Sequence, residues 1–255
     1  SGSEVLCVAS GLVGVMKNST IGGRAKSLGC ANYGFVRTGK ITNNGNGGNG
    51  MQTAGICGFM AKDEGNLIQF CVNYGHISCP TGRTGGLVAT LMNGNVKNSD
   101  NRGTVEDDIV GKFEGAAAQN SYNSKRMGGL IGGTDDLKKV LTATVESCTN
   151  YGNVFTHIGC RTGGFIGHSN IRIIGCANQG AILGDVYNSD HGPAWACGYS
   201  GQSSGEWVNV SSCTMGGYVG SYTTYKDNPT SAPAATVHNA FSYKHDEYYD
   251  PTINN

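Results

Sequence analysis

The sequence predicts an all-β solenoid, a right-handed parallel β-helix of about six three-strand coils with loop insertions and a C-terminal cap or tail. Three observations predict it. A C-x-N-x-G-x-[VI] motif recurs along the chain, and a Gly-Gly-apolar element follows downstream of it. Glycine supplies 42 of 255 residues without the every-third-residue period of collagen.

The first motif reads Cys30-Ala-Asn-Tyr-Gly-Phe-Val36, Cys71-Val-Asn-Tyr-Gly-His-Ile77, Cys148-Thr-Asn-Tyr-Gly-Asn-Val154 and Cys176-Ala-Asn-Gln-Gly-Ala-Ile182. Ser99-Asp-Asn-Arg-Gly-Thr-Val105 replaces the cysteine, and Cys213-Thr-Met-Gly-Gly-Tyr-Val219 loses the asparagine. Starts at 30, 71, 99, 148, 176 and 213 give steps of 41, 28, 49, 28 and 37. The longer steps carry insertions at 42–49, 107–125, 134–142 and 187–192, which a solenoid tolerates on its surface. Stacked coils place equivalent residues at the ~4.8 Å strand spacing, so Asn32, Asn73, Asn101, Asn150 and Asn178 are expected to form an amide ladder. The glycine two residues after each asparagine is expected to supply a positive φ. Each cysteine shares parity with the Val or Ile six residues later, so both are expected to point inward.

The second element reads Gly85-Gly-Leu-Val-Ala89, Gly128-Gly-Leu-Ile-Gly132 and Gly163-Gly-Phe-Ile-Gly167, with looser forms elsewhere. A third apolar stretch, such as Leu67-Ile-Gln-Phe70 or Ile171-Arg-Ile-Ile174, leads into the next cysteine. Glycine is too dense, and the apolar positions alternate too regularly, for helices. Residues 1–221 read as the solenoid. Residues 222–255 leave the repeat and read as an irregular cap or tail, with a linker or a donor segment for assembly as the other readings.

Composition narrows the function classes. The formal net charge is zero, which argues against a nucleic-acid partner, and no apolar run reaches the ~18 residues of a membrane span. Ser1-Gly2-Ser3 reads as an expression scar or as the start of a mature fragment. Ten cysteines without C-x2-C pairs do not read as a zinc site, so neither metal nor cofactor is expected. Cys30, Cys71, Cys148 and Cys176 read first as a ladder of small buried groups. Cross-coil disulfides stay open as the alternative.

At these motifs the chain resembles the GLUG-type repeats of bacterial surface proteins, which stand beside adhesin and IgA-protease modules and in secreted proteins of gut Bacteroidetes. The resemblance spans roughly residues 5 to 222. It implies a β-helix on a secreted or cell-surface protein, and it implies no activity. No H-E-x-x-H occurs, so peptidase chemistry is not carried over.

Two stripes are candidates for binding. Arg83, Arg126 and Arg161 stand two residues before the glycine pair. Extended-strand parity puts Leu87, Leu130 and Phe165 on their face, extended by Tyr199 and Tyr218, with Val88, Ile131 and Ile166 in the core. Such a stripe would suit an acidic glycan, or else the arginines pair with loop acids such as Asp107, Asp108 and Glu114. The second stripe is Tyr33, Tyr74, Arg102, Tyr151 and Gln179, read first as coil-stabilising stacking. Catalytic candidates are Asp100, Asp107, Asp108 and His168, with Glu106, His76 and His157 near in coil order.

Three functions follow as expectations: an adhesin-like β-helix that binds a polysaccharide or cell-surface glycan, a β-helix polysaccharide lyase or glycoside hydrolase, or a filament subunit. Further domains of a longer chain and copies of itself are the other partners expected.

Overall fold

Apolar runs broken every few residues by Gly, Asn or Ser cannot extend into long strands, so the chain gains its hydrogen bonds by stacking short ones. A computed structural model of the chain describes residues 7–38, 51–62, 65–79, 82–106, 126–134, 143–156, 161–169, 171–184, 195–197, 200–203, 208–216, 219–221 and 241–243. Among them every strand is two to four residues long, and the sole helical element is a 3-10 turn at Lys26–Leu28. Six successive coils each place one strand in five parallel stacks, making a parallel β-helix.

The first sheet stacks Cys7–Ser10, Met51–Ala54, Arg83–Gly85, Arg126–Gly128, Arg161–Gly163 and Trp195–Cys197. The second runs from Val13–Met16 to Ser200–Ser203, and the third from Thr20–Ile21 to Val208–Ser211. The fourth runs from Ala31–Asn32 to Thr214–Met215, and the fifth from Val36–Arg37 to Val219–Ser221. The coil therefore carries five strands where three were expected. Two stretches that read as single strands break at corners: Arg83–Gly85 from Val88–Leu91, and Asp100–Asn101 from Val105–Glu106.

The expected asparagine ladder is present. Asn32 Nδ2 donates to Asn73 Oδ1 at 2.8 Å, Asn73 to Asn101 at 2.8 Å, Asn101 to Asn150 at 2.8 Å, and Asn150 to Asn178 at 2.6 Å. Each Nδ2 also donates to the carbonyl of the glycine two residues on, from Gly34 to Gly180. All five side chains are buried. Buried amides are costly unless bonded, and here the repeat itself supplies their partners.

The glycines of this motif do not take a positive φ, contrary to expectation. What excludes a side chain is proximity. A Cβ on Gly75, Gly103, Gly152 or Gly180 would lie 1.8–1.9 Å from the carbonyl oxygen of the matching glycine one coil earlier.

Left-handed backbone stands instead at the corner before the cysteine or serine of the five later motifs: Phe70 (φ 54), Asn98 (φ 48), Ser147 (φ 53), Gly175 (φ 59) and Ser212 (φ 54). An L-residue in that conformation costs roughly 1–2 kcal/mol, and glycine escapes most of it. Ser147→Gly is therefore expected to raise unfolding stability by up to about 1 kcal/mol, and Gly175→Ala to lower it by about 1 kcal/mol, as read by urea titration.

The interior has two compartments. The larger packs the second, third and fourth sheets around Leu87, Val88, Leu130, Ile131, Phe165 and Ile166, together with the column Cys71, Cys148, Cys176 and Cys213. The smaller lies between the first and fifth sheets and holds Val36, Ile77, Val105, Met127, Val154 and Ile182. In the motifs starting at Cys71, Cys148 and Cys176 the cysteine and the Val/Ile are both buried, in different compartments.

Five connections of very different length meet at one junction. Segments 38–50, 79–82, 107–125, 157–160 and 185–194 each join the fifth sheet to the first. At the far end, Phe241–Tyr243, within the expected cap, pairs antiparallel with Val208–Ser211.

Candidate outward ladder between the fourth and fifth sheets

The asparagine that builds the core ladder also builds the outer surface. Asn32 Oδ1 accepts from Gly34 N at 3.1 Å while its Nδ2 donates to Gly34 O at 3.0 Å, closing a loop around Tyr33. Asn73 closes the same loop around Tyr74. The bracketed residue is left outside. Repetition stacks these residues in one column: Tyr33, Tyr74, Arg102, Tyr151 and Gln179, all exposed.

The column is an ordered stack. The rings of Tyr33 and Tyr74 lie 4.8 Å apart with their planes 2° from parallel. The Arg102 guanidinium sits 4.4 Å from the Tyr151 ring centre and 6.0 Å from that of Tyr74, filling the rung between the two rings. A ring pair contributes about 0.5–1.5 kcal/mol and an exposed cation–π contact about 0.5–1 kcal/mol. Asp100 Oδ2 stands 3.8 Å from Arg102 Nη2.

A second column lies one step beyond each glycine. Phe35, 60% exposed, meets His76 edge-on at 5.1 Å, and His76 Nε2 is 2.8 Å from Glu106 Oε1. His76 and Glu106 are expected from the sequence only beside the catalytic candidates, and the signal for Phe35 is its place directly after the motif glycine. Tyr33 is 75% exposed, against 45% for Tyr74 and 39% for Tyr151. Because the rings stack on each other, the surface offers ring edges, phenol hydroxyls, one guanidinium and two carboxylates. Among the described residues the most exposed rings are Tyr33 and Phe35, both of the first coil.

The arginine stripe is a correction. Arg83, Arg126 and Arg161 are in register as expected, but Arg83 and Arg126 are only 3% and 8% exposed, and Arg161 is half-buried. Arg126 Nη1 donates to Thr134 O at 2.9 Å, inside the wall made by the first two sheets. Phe165, Leu87 and Leu130 belong to the apolar core. The parity count failed because the chain turns sharply between Arg126–Gly128 and Ile131–Gly133, so the residue four beyond the arginine sits at the corner between two sheets and not on the arginine's strand. Tyr199 and Tyr218 lie outside the described residues.

Of the catalytic candidates, the described Asp100 and His168 are not brought together. Asp100 is on the outer wall of the fourth sheet, whereas His168 is 2% exposed within the second. Asp107, Asp108, Glu114 and His157 lie outside the described residues. Among the described residues no group of three metal-ligating side chains occurs, and no helix is long and apolar enough to cross a membrane.

Cysteines 7, 30, 57, 71, 79, 148, 176 and 213 are all free thiols. Burial pushes Cys57 up to about 12 and Cys71 up to about 11. Cys176 and Cys213 are raised chiefly by their contacts with the neighbouring thiols Cys148 and Cys176. Such thiols stay protonated and are poor nucleophiles. Iodoacetamide is expected to label exposed Cys7 in the folded chain and to spare Cys57 and Cys71 until denaturant is added.

The raised thiols also set a pH dependence. The unfolded chain loses these protons near the ordinary value of 9.0, before the folded one does. Their contribution to stability is whole below that range and is lost as pH rises toward about 11 and about 12. Cys57 shares its column with Val13 and Val88, so Cys57→Val is expected to hold stability at neutral pH and to flatten the alkaline decline in urea titrations.

Fold and surface define a class: a parallel β-helical repeat protein with a polar internal ladder and an aromatic external one. No family model matches the chain, and neither a curated protein nor a solved structure matches it.

Proposed function

We propose that this chain is a non-catalytic, extracellular or cell-surface binding module that holds a linear glycan along the outward ladder of Tyr33, Tyr74, Arg102 and Tyr151. The observation that carries the reading is the regular exposed stack, with Tyr33 and Tyr74 repeating at 4.8 Å. A lattice that repeats along one axis fits a ligand that repeats along one axis, because each rung meets an equivalent group. Phenol edges, Arg102 and Glu106 supply the hydrogen-bonding partners that sugar hydroxyls need, and exposed Tyr33 and Phe35 supply apolar faces. The motif's resemblance to GLUG-type repeats supports an exported setting.

The test is retention of the full chain in gels containing neutral or uronate polysaccharides. Wild type is expected to be retained. The variant Tyr33→Ala/Phe35→Ala/Tyr151→Ala is expected to lose about tenfold in affinity while keeping its fold, since exposed side chains contribute little to stability. Unchanged retention of the variant, or no retention of wild type by any polysaccharide, overturns the reading. Release of reducing ends or of an unsaturated uronate product overturns its non-catalytic part.

A further inference from the structure

One rung of the outward column carries a charge. Tyr74, Arg102 and Tyr151 follow one another because the asparagines before them are paired in register. The Arg102 guanidinium lies between the two rings, 6.0 Å from the centre of Tyr74 and 4.4 Å from that of Tyr151. A cation–π contact is made to the face of a ring, so it steadies the cation without using up its N–H donors. The Arg102 side chain is 44% exposed.

Charge pairing beside the column is uneven. His76 Nε2 stands 2.8 Å from Glu106 Oε1, and Lys97 Nζ stands 2.9 Å from Glu146 Oε2. Both carboxylates have a basic nitrogen at hydrogen-bond distance. Arg102 has no carboxylate that close. Among the described residues its ion-pair partner is Asp100, whose Oδ2 stays 3.8 Å from Nη2. A guanidinium is a planar fork of five N–H donors that suits a carboxylate held by two parallel bonds. Asp100 is too far off to supply them.

We infer that Arg102 is the rung that reads a carboxylate, and that the ligand of the outward ladder is a uronate-bearing polysaccharide. The inference rests on the glycan reading above and names the class of glycan. One sugar carboxylate accepts two N–H bonds from Arg102, while the neighbouring sugar units lie against Tyr74 and Tyr151. The charged rung thus fixes where along the column the polymer sits. The tyrosine rungs on either side are tolerant of the sugar's identity.

The test is affinity electrophoresis of the full chain in gels holding alginate or polygalacturonate, each native and with its carboxyls reduced to primary alcohols. Wild type is expected to bind the native polymer of at least one pair about tenfold more tightly than the reduced form. Arg102→Gln is expected to erase that preference, weakening retention on the native polymer far more than on the reduced one. Gln179 fills the same position on a later coil, so the column accommodates glutamine. Arg102→Lys keeps the charge but loses the fork, and is expected to recover only a small part of the preference.

Equal retention by native and reduced polymers overturns the carboxylate assignment and leaves the glycan reading standing. Retention by neither, with neutral polysaccharides also negative, overturns both. A preference that survives Arg102→Gln places the recognition of charge elsewhere on the chain. Full recovery with Arg102→Lys, or equal retention by dextran sulfate, reduces the effect to diffuse attraction of an anion. Each of these outcomes overturns the inference.

Discussion

Asn101→Ala is expected to destabilise the chain by about 3–5 kcal/mol in urea titration, more than any exposed substitution. Asn101 accepts from Asn73 Nδ2 and donates to both Asn150 Oδ1 and Gly103 O. Its removal leaves groups on two neighbouring coils short of a partner in a fully buried site, at about 1–3 kcal/mol for each unmet group. It also leaves a void beside Gly86, whose Cβ site lies 2.3 Å from Asn101 Cγ. Asn32→Ala, at the end of the ladder, breaks one rung and should cost roughly half as much. Equal losses at the two positions would mean that the bonds do not act along the column.

Gly103→Ala is the second large effect. The new methyl would stand 1.8 Å from Gly75 O and 2.7 Å from Gly75 C, which is backbone and cannot rotate away. The coils must part locally, which lengthens the parallel bonds Arg102 N to Asn73 O and Gly103 N to Asn73 O. A loss of about 3–5 kcal/mol, or failure to fold, is expected. Gly34→Ala supplies the internal control. Same motif, same residue, open space: its unfolding midpoint should match wild type. A comparable loss at Gly34 would trace the cost to backbone conformation and not to the neighbouring coil.

The sequence made the stacking legible because the residues that enforce it are specific. Buried asparagine two residues ahead of glycine, repeated in register, has few uses besides a ladder. The division of the coil was not legible. Gly85-Gly86 and Gly128-Gly129 read as interruptions within one strand, whereas each marks a corner between two sheets. That error carried the arginine stripe with it, since parity holds only along an unbroken strand. The left-handed corner was hidden because Phe70, Asn98 and Ser147 occupy it in place of glycine. The outward column of tyrosines was visible as a pattern, but its exposure follows from the loop that each asparagine closes.

Side-chain amide NMR tests the stacked columns most directly. The account predicts a continuous chain of contacts between the Nδ2 protons of Asn32, Asn73, Asn101, Asn150 and Asn178, with slow solvent exchange at the inner rungs. Five amides exchanging at solvent rates, with no contact from one to the next, would contradict it.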